Sequence, residues 1–313
     1  MIYLSHHLTE VSLAMKKLLF IMNPFAGTKK ANRFLADIIS IFNRAGYDVL
    51  TYMTAAPGDC INAVVEKAAG MDLIVCAGGD GTFNETVTGL LRTGLDIPVG
   101  YIPAGSTNDF AASLKLPTNV VEAARLIAEG EPVAYDVGTF ADRNFTYVAS
   151  FGAFTRVSYA TPQSVKNALG HTAYLLSGLQ ELSQIRKFHL RFELDNGNVI
   201  DDDFIFGAIS NSTSIGGLLT LDPKQVDMRD GKFELFLVRA PRDVLELSEC
   251  ALALTEQKYN CKVITFCSAS KITVTAPQDM NWTLDGEMEP GHSEVVINNL
   301  HHAIRLMTRR AEA

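Results

Sequence analysis

The ten residues from Cys76 to Glu85 (CAGGDGTFNE) constrain the fold more than any other stretch of this chain. They follow a short apolar run, 72–77, whose unbroken hydrophobicity is typical of a parallel strand buried on both faces. Three glycines in four positions then allow a sharp turn and a close backbone approach to a ligand. Thr82 is predicted to cap the following helix, whose free N–H groups and dipole favour phosphate. The stretch therefore predicts a strand, a phosphate-binding turn and a helix.

The acidic residue inside this turn narrows what the turn can bind. A carboxylate repels phosphates unless a cation or a proton lies between them, so Asp80 suggests a magnesium nucleotide. The alternative is a plain turn in which the glycines serve geometry only. The stretch has neither the G-x-G-x-x-G pattern of dinucleotide sites nor the Gly-Lys-Ser/Thr of a Walker loop.

Bulk properties exclude several classes of function. A chain of 313 residues can form two domains, and its net charge of −8 argues against nucleic acid as a partner. The five cysteines include no C-x-x-C pair, which indicates a reducing, cytoplasmic location without a disulfide framework or a zinc site. No apolar run predicts a transmembrane anchor, and residues 1–14 are expected to form a disordered extension rather than a signal peptide. The pairs His6-His7 and His301-His302 are expected at the surface.

Strand and helix patterns alternate as far as about residue 140. Ligands on such sheets bind beyond the carboxyl ends of the strands, where the glycine-containing loops 23–27, 78–82 and 105–108 are expected. The alternation predicts a doubly wound parallel-sheet nucleotide domain over residues 15–140. Strands are expected at 18–22, 47–53, 72–77, 98–103 and 133–140.

Beyond residue 140, seven short strand-like runs predominate. Helical patterns interrupt them at about 172–185 and 241–254. This pattern predicts a β-sandwich-like second domain over residues 141–313. A return of the last residues, 303–307, to the first domain is left open. The expected fold class is therefore α/β, a doubly wound parallel-sheet nucleotide domain plus a β-sandwich-like domain.

Four motifs occur in order along the chain: GGDGTFNE at 78–85, GSTNDF at 105–110, DMRDG at 227–231 and LDGE at 284–287. Together they resemble the bacterial type of diacylglycerol kinase, which is related to sphingosine kinases and more distantly to NAD kinases. The resemblance covers essentially the whole chain from Met15. NAD kinases share only the first five residues of the first motif and lack the second in this form, which favours a lipid kinase.

This resemblance implies an enzyme that uses ATP and Mg²⁺ to phosphorylate a lipid hydroxyl. Diacylglycerol, converted to phosphatidic acid, is the first choice of substrate; phosphatidylglycerol, undecaprenol and a sphingoid base are alternatives. The lipid would be collected by transient contact with the membrane surface, and a homodimer is left open. An NAD kinase-like small-molecule kinase and a non-catalytic lipid-binding protein on the same fold remain alternative functions.

The first glycine loop resembles the NP-x-x-G nucleotide loop of the family. Many relatives place a lysine directly after the glycine, whereas here Thr28 intervenes, so the phosphate contact is left open among Lys29, Lys30 and Arg33. The nucleotide-binding residues implied by the resemblance are Asn23, Pro24, Gly27, Thr54, Gly78, Gly79, Asp80, Gly81, Thr82, Asn84, Glu85, Ser106, Thr107, Asn108, Asp109 and Asp136.

Two of these assignments have plain structural alternatives. Ser106 or Thr107 could simply cap a helix. Asp136 could be a solvent-facing strand residue, although the resemblance implies a carboxylate network that joins it to Asp80 and Asp109.

The third motif is a turn rich in Asp and Gly, which is commonplace by itself. The resemblance implies a structural Mg²⁺ held by Asp227, Asp230 and the backbone carbonyl of Lys232. Such an ion would steady the second domain and take no part in the transfer.

The fourth motif is by default a hairpin turn between two strands. The resemblance implies that Glu287 is the base that takes the proton from the lipid hydroxyl, with Asp80 and Asp285 as its catalytic partners. Asp285 would act as a magnesium ligand or as a member of the carboxylate network, and the nearby Glu289 serves as a comparison.

Overall fold

A computed structural model describes the chain over residues 15–27, 30–152, 186–215, 219–256, 259 and 261–309. The extension expected at 1–14 and the helix expected at 172–185 lie outside these residues. Among the described residues, no helix combines the length and the hydrophobicity that crossing a membrane requires.

The first part of the chain alternates strands and helices, as its sequence pattern predicts. Four parallel strands lie side by side in the order β4-β3-β1-β2. The elements are β1 (Lys16–Met22), α1 (Lys30–Arg33), α2 (Leu35–Arg44), β2 (Tyr47–Met53), α3 (Asp59–Lys67), β3 (Leu73–Gly78), α4 (Asp80–Thr93), β4 (Val99–Pro103), α5 (Asp109–Ser113), α6 (Val120–Glu129) and β5 (Glu131–Phe140).

Helices cover both faces of these parallel strands. In β1, Leu19 and Ile21 belong to a core shared with α3 and α4, whereas Leu18 and Phe20 belong to a core shared with α2 and α6. Successive side chains of a strand point to opposite faces, so both sets must be apolar. The unbroken hydrophobicity of the sequence follows from this double burial.

The second part of the chain is mostly strands. A single helix, α7, interrupts the described strands between β12 and β13. The elements are β6 (Arg143–Phe145), β7 (Val148–Gly152), β8 (Phe188–Leu194), β9 (Val199–Ser210), β10 (Ser214–Ile215), β11 (Leu219–Thr220), β12 (Phe233–Arg239), α7 (Val244–Glu256), β13 (Ile264–Ala269), β14 (Lys271–Thr275), β15 (Trp282–Leu284), β16 (Glu287–Glu289) and β17 (Glu294–Thr308).

The strand β17 joins both parts into one mixed sheet, which has fifteen strands in the described structure. It pairs antiparallel with β14 and β5, and Leu306 pairs parallel with Val99 of β4. The short strand-like runs expected from the sequence did not include this long strand, because a register shift between Leu300 and Ile304, with φ 53° at His302, interrupts its alternation. The mixed α/β class is confirmed, and the finer division into two domains stays a prediction.

The hairpin of β15 and β16 has the turn that its sequence predicts. Asp285 and Gly286 connect the strands with φ of 48° and 87°. Two positive φ values in succession are typical of the two-residue turn that Asp-Gly favours. The hairpin pairs with β7 and extends the edge of the large sheet.

Candidate active site

Three glycine-containing loops pack against one another beyond the carboxyl ends of β1, β3 and β4. A Cβ built on Gly27, whose φ is 49°, would lie 2.4 Å from the carbonyl oxygen of Ala104. A Cβ on Gly105 would lie 2.5 Å from the Cα of Gly79. Side chains at these positions would collide with backbone, so glycine permits the close approach. The three predicted nucleotide loops therefore form one surface.

The helix α4 begins at Asp80, two residues before the predicted start. Its N-cap is Gly79 and no side chain caps it, so the prediction that Thr82 is the cap is wrong. Thr82 lies in the first turn, where its hydroxyl accepts a hydrogen bond from Nδ2 of Asn23 at 3.4 Å. The residue thus connects the first glycine loop to the second, and the helix N-terminus carries no side-chain cap.

Asn108 shapes the third loop. Its φ is 55°, its Oδ1 accepts a hydrogen bond from the Gly105 amide at 2.9 Å, and its Nδ2 donates to the Gly105 carbonyl at 3.0 Å. Asn108 is also the N-cap position of α5, so neither Ser106 nor Thr107 fills that position. Both hydroxyl residues are exposed at the loop tip.

Asp80 and Asp109 meet at the edge of the sheet. The Oδ2 of Asp80 accepts a hydrogen bond from the Asp109 amide at 3.1 Å, and its Oδ1 accepts one from the Phe110 amide at 3.3 Å. The Oδ1 of Asp109, a buried residue, accepts a hydrogen bond from the Ser214 hydroxyl at 2.9 Å. Burial raises the pKa of Asp80 to about 6; the two amides oppose this shift, and the charges of Asp109 and Asp285 add to it.

Asp285 connects the hairpin turn to α4. Its Oδ2 accepts hydrogen bonds from the Thr146 amide at 2.6 Å, the Thr146 hydroxyl at 2.8 Å and Nδ2 of Asn84 at 2.8 Å. Its Oδ1 accepts two more, from the amides of Tyr147 and Val148. Burial raises the pKa of Asp285, and the backbone amides oppose that shift. Five donors leave this carboxylate little capacity for a metal ion.

Glu287 lies next to the glycine-rich turn 78–82. A Cβ built on Gly81 would be 3.4 Å from Oε1 of Glu287. The predicted base therefore lies beside the residue that follows Asp80. Its Oε2 accepts a hydrogen bond from Nη2 of Arg143 at 3.0 Å, and 62% of its side chain is exposed. Glu289 differs, because only 9% of its side chain is exposed and it pairs with Arg143 and His292.

Two of the predicted nucleotide residues hold the scaffold. The Oε1 of Glu85 accepts a hydrogen bond from the Gly58 amide at 2.7 Å, and its Oε2 accepts one from the Cys60 amide at 3.2 Å, so it caps the start of α3. The buried Thr54 amide donates to the carbonyl oxygen of Met22 at 2.9 Å. Their assignment to the nucleotide stays a prediction.

Which basic residue after the first glycine loop contacts phosphate also stays open. Thr28 and Lys29 lie outside the described residues, whereas Lys30 and Arg33 belong to α1. The loop itself is fixed by Asn32, whose Nδ2 donates to the carbonyl oxygen of Pro24 at 3.0 Å.

Asp136 is buried at the loop that carries the third motif. Its Oδ2 accepts a hydrogen bond from the Gly231 amide at 2.7 Å. Its Oδ1 accepts one from the His302 amide at 2.8 Å and lies 3.1 Å from Nδ1 of His301. The surface alternative does not hold, because only 1% of Asp136 is exposed. The network with Asp80 and Asp109 stays a prediction.

The loop 227–232 presents oxygen atoms. Asp227 and Asp230 each accept a hydrogen bond from the amide two residues onward, at 3.0 and 2.9 Å, and the Lys232 carbonyl accepts one from Asn299 at 3.0 Å. Burial raises the pKa of the neighbouring Glu234 to about 8, and the charge of Asp230 adds to the shift. Three buried oxygens in this neighbourhood have no hydrogen-bond partner in the described structure: Oδ1 of Asn211, Oε2 of Glu234 and Oδ1 of Asn299. A set of unused oxygens near carboxylates fits a hard cation.

Within the described ranges, one group of three residues brings potential metal-ligand atoms within 4.8 Å of one another: Asp136, His301 and His302. The two imidazole rings stack with 3.6 Å between their centroids. Nitrogen lone pairs lie in the ring plane, so stacked rings do not aim them at one ion. Hydrogen bonds to Asp136 and to the Arg229 carbonyl account for this pair.

Comparisons with known proteins show the family of this chain. A sequence model of the diacylglycerol kinase catalytic domain matches residues 17–140. The diacylglycerol kinase of Bacillus subtilis (strain 168) is 31% identical over 292 residues, which cover 92% of this chain and 96% of the relative. That of Staphylococcus aureus (strain MRSA252) is 31% identical over 277 residues, 87% of this chain and 86% of the relative. A crystal structure of a diacylglycerol kinase from Bacillus anthracis str. Sterne has the same fold, with a TM-score of 0.74 at 22% identity, covering 94% of this chain and 97% of that one.

The raised pKa of Asp80 predicts how its replacement changes stability with pH. Because this pKa rises from 3.8 in the unfolded chain to about 6, the folded state binds the proton more tightly, and the native protein loses stability as pH rises through this interval. Asp80→Asn removes that charge. We therefore expect the free energy of unfolding of Asp80→Asn minus that of the native protein to be about 2 kcal/mol more positive at pH 7.5 than at pH 4.5. Urea unfolding in EDTA at both pH values measures the difference.

Asp48→Asn, at an exposed position of β2, is the matched control and should show no such difference. A pH-independent effect of Asp80→Asn would contradict the buried, charged environment assigned to Asp80.

Proposed function

Because this chain belongs to the diacylglycerol kinase family and is a lipid kinase, we propose that it transfers the γ-phosphate of ATP to the hydroxyl of diacylglycerol and so forms phosphatidic acid. The position of Glu287 carries this proposal. Its Oε1 lies beside Gly81 in the phosphate turn, although the two residues are far apart in sequence. A carboxylate in that place can accept the proton of an alcohol that attacks a bound triphosphate.

The three packed glycine loops are the proposed binding site of the triphosphate. Backbone amides at the start of a helix bind phosphate oxygens, and α4 is fourteen residues long with no side chain capping its start. The exposed hydroxyls of Ser106 and Thr107 stand at the tip of the third loop, where they can reach a nucleotide. Asn23 and Thr82 hold the first two loops together and would fix the phosphates indirectly.

The proposed magnesium ligands of the transfer are Asp80 and Asp109. These two carboxylates fit a cation because of their charge. Burial and the neighbouring charges of Asp109 and Asp285 raise the pKa of Asp80, so a nearby positive charge would stabilise its ionised form. Bound Mg²⁺ supplies neutralisation of the phosphate charges. Carboxylates gathered at one sheet edge suit that purpose and repel a bare triphosphate.

The proposed reaction is a direct transfer. The lipid oxygen forms a bond to the γ-phosphorus, the bond from that phosphorus to the β-phosphate oxygen breaks, and ADP leaves. The hydroxyl proton passes to Glu287. Asp285 is better suited to positioning than to metal binding, because its five hydrogen bonds already hold the turn that presents Glu287.

The lipid is proposed to reach Glu287 from the β-rich second part of the chain. Met288, the residue after the base, is 69% exposed and offers an apolar surface beside the reacting hydroxyl. Such a surface suits an acylated substrate better than NAD, whose groups near the acceptor hydroxyl are polar. The substrate would be collected at the membrane surface, and the other lipid alcohols remain competitors for the site.

A second Mg²⁺ is proposed at Asp227, Asp230 and the carbonyl oxygen of Lys232. The buried oxygens of Asn211, Glu234 and Asn299 that lack donors lie around this loop and support the assignment. Because the loop also binds Asp136 through the Gly231 amide, the ion would steady the junction between this loop and β5.

Replacement of Glu287 tests the proposed base. We expect Glu287→Gln to fold normally and to lower lipid-dependent ATP turnover by at least about 100-fold, because Gln cannot accept the proton. ADP release is measured with diacylglycerol in mixed micelles and separately with NAD. Glu294→Gln, an exposed glutamate of β17, is the matched control and should keep full activity. Undiminished turnover by Glu287→Gln, or turnover with NAD alone, would overturn this function.

The second metal site makes a separate prediction about stability. Saturating Mg²⁺ without nucleotide should raise the free energy of unfolding of the native protein by about 2–3 kcal/mol at 100-fold excess over the dissociation constant. Asp230→Asn should lose most of that gain. Asp222→Asn is the control, because Asp222 accepts the same kind of turn hydrogen bond, from the Lys224 amide, outside the loop. An equal Mg²⁺ response of both variants would argue against the site.

A further inference from the structure

Arg143 lies between two glutamates of the β15–β16 hairpin. Its Nη2 donates to Oε2 of Glu287 at 3.0 Å, and its Nη1 donates to Oε2 of Glu289 at 2.8 Å. A guanidinium group presents its donors in a rigid fork, so it can hold two carboxylates in a fixed relation. Arg143 belongs to β6 and reaches the hairpin from a different part of the sheet.

The two glutamates that contact Arg143 differ in solvent exposure. Glu289 is 9% exposed at its side chain and also lies 3.1 Å from Nε2 of His292. Glu287 is 62% exposed, so without Arg143 its side chain could turn into solvent. The buried glutamate therefore anchors the guanidinium, and the guanidinium restricts the exposed glutamate.

The backbone around Arg143 is tied to the phosphate turn. The Nδ2 of Asn84, a residue of α4, donates to the carbonyl oxygen of Asn144 at 3.0 Å and to Oδ2 of Asp285 at 2.8 Å. One side chain thus holds both the residue after Arg143 and the turn before Glu287. With Oε2 of Glu287 on Arg143, the other oxygen is the one beside Gly81.

We infer that Arg143 is a positioning residue for phosphoryl transfer, which fixes Glu287 so that its Oε1 can accept the proton of the lipid hydroxyl. This inference rests on the proposed function, because it acts through the proposed base. A misplacement of a reacting group by about 1 Å can lower a rate by about 100-fold. Arg143 stays charged in this role: partial burial lowers its pKa, but the hydrogen bonds and charges of Glu289 and Glu287 raise it overall.

The first experiment separates positioning from folding. The exposed pair with Glu287 contributes little to stability, and the buried Glu289 keeps its contact with His292, so Arg143→Ala should fold, with a lower melting temperature than the native protein. We expect its kcat to fall by about 10–100-fold with KM for ATP unchanged. Arg143→Lys should lose only about 3–10-fold, since an ammonium group keeps the charge but lacks the fork. Millimolar guanidinium should restore part of the activity of Arg143→Ala.

Arg191→Ala is the matched control. Arg191 also bridges two carboxylates, Glu193 at 2.9 Å and Asp201 at 3.4 Å, and lies on β8 with 44% of its side chain exposed. Its replacement should leave kcat unchanged and show no response to guanidinium.

The second experiment asks whether Arg143 acts through Glu287. Residues that act as one unit give non-additive losses, so Arg143→Ala added to Glu287→Gln should lower the remaining turnover by less than about twofold. Radiolabelled ATP follows this slow turnover over hours.

The results of these experiments test the positioning role of Arg143 and the base assignment of Glu287 separately. A normal kcat for Arg143→Ala, or its full loss repeated on the Glu287→Gln background, would overturn the positioning role and leave the base assignment intact. An active Glu287→Gln single variant would overturn the base assignment itself. If Arg143→Ala fails to fold, Arg143→Lys decides, and a native kcat for that variant would contradict the inference.

Discussion

Five hydrogen-bond donors converge on the buried carboxylate of Asp285, and the rest of the site depends on this convergence. Four of the donors belong to the start of β7 and the residues before it, and the fifth is Asn84 of α4. The Asp-Gly turn is therefore fixed to α4, the helix that begins in the glycine-rich turn 78–82. Glu287 follows two residues later, beside Gly81. A hydrogen-bonded turn from the β-rich part thus completes a surface begun by the glycine loops.

The electrostatics of this surface oppose folding in the absence of a counter-charge. Asp80, Asp109 and Asp285 are gathered at one edge, and burial and mutual repulsion raise the pKa of Asp80. Close carboxylates of this kind persist where function needs them, because a packed apolar or neutral set would be more stable. The proposed triphosphate site therefore requires a cation to offset these charges. Arg143 supplies positive charge to Glu287 and Glu289 of the hairpin.

Local sequence signals predicted the scaffold well. β3 lies within one residue of its predicted bounds and the Asp-Gly hairpin occurs where the pattern placed it, because a buried parallel strand and a turn with positive φ each demand particular residues. The prediction that Thr82 caps α4 was wrong, because the helix starts at Asp80. The closely packed turn before it sets the start of the helix in place of a capping side chain. Arg143 gave no sequence signal, because its role arises from contacts with residues about 145 positions away. β17 was underestimated because a bulge breaks its alternation.

The most direct test of this account is the dependence of ATP binding on a divalent cation, measured by titration calorimetry in Mg²⁺ and in EDTA. The native protein should bind ATP at least about tenfold more tightly with Mg²⁺, since carboxylates and triphosphate repel each other without it. Asp80→Asn should lose most of that enhancement and, in EDTA, bind ATP no more weakly than the native protein does. Equal ATP affinity of the native protein in Mg²⁺ and in EDTA would contradict the central claim that its clustered carboxylates hold a cation against the triphosphate.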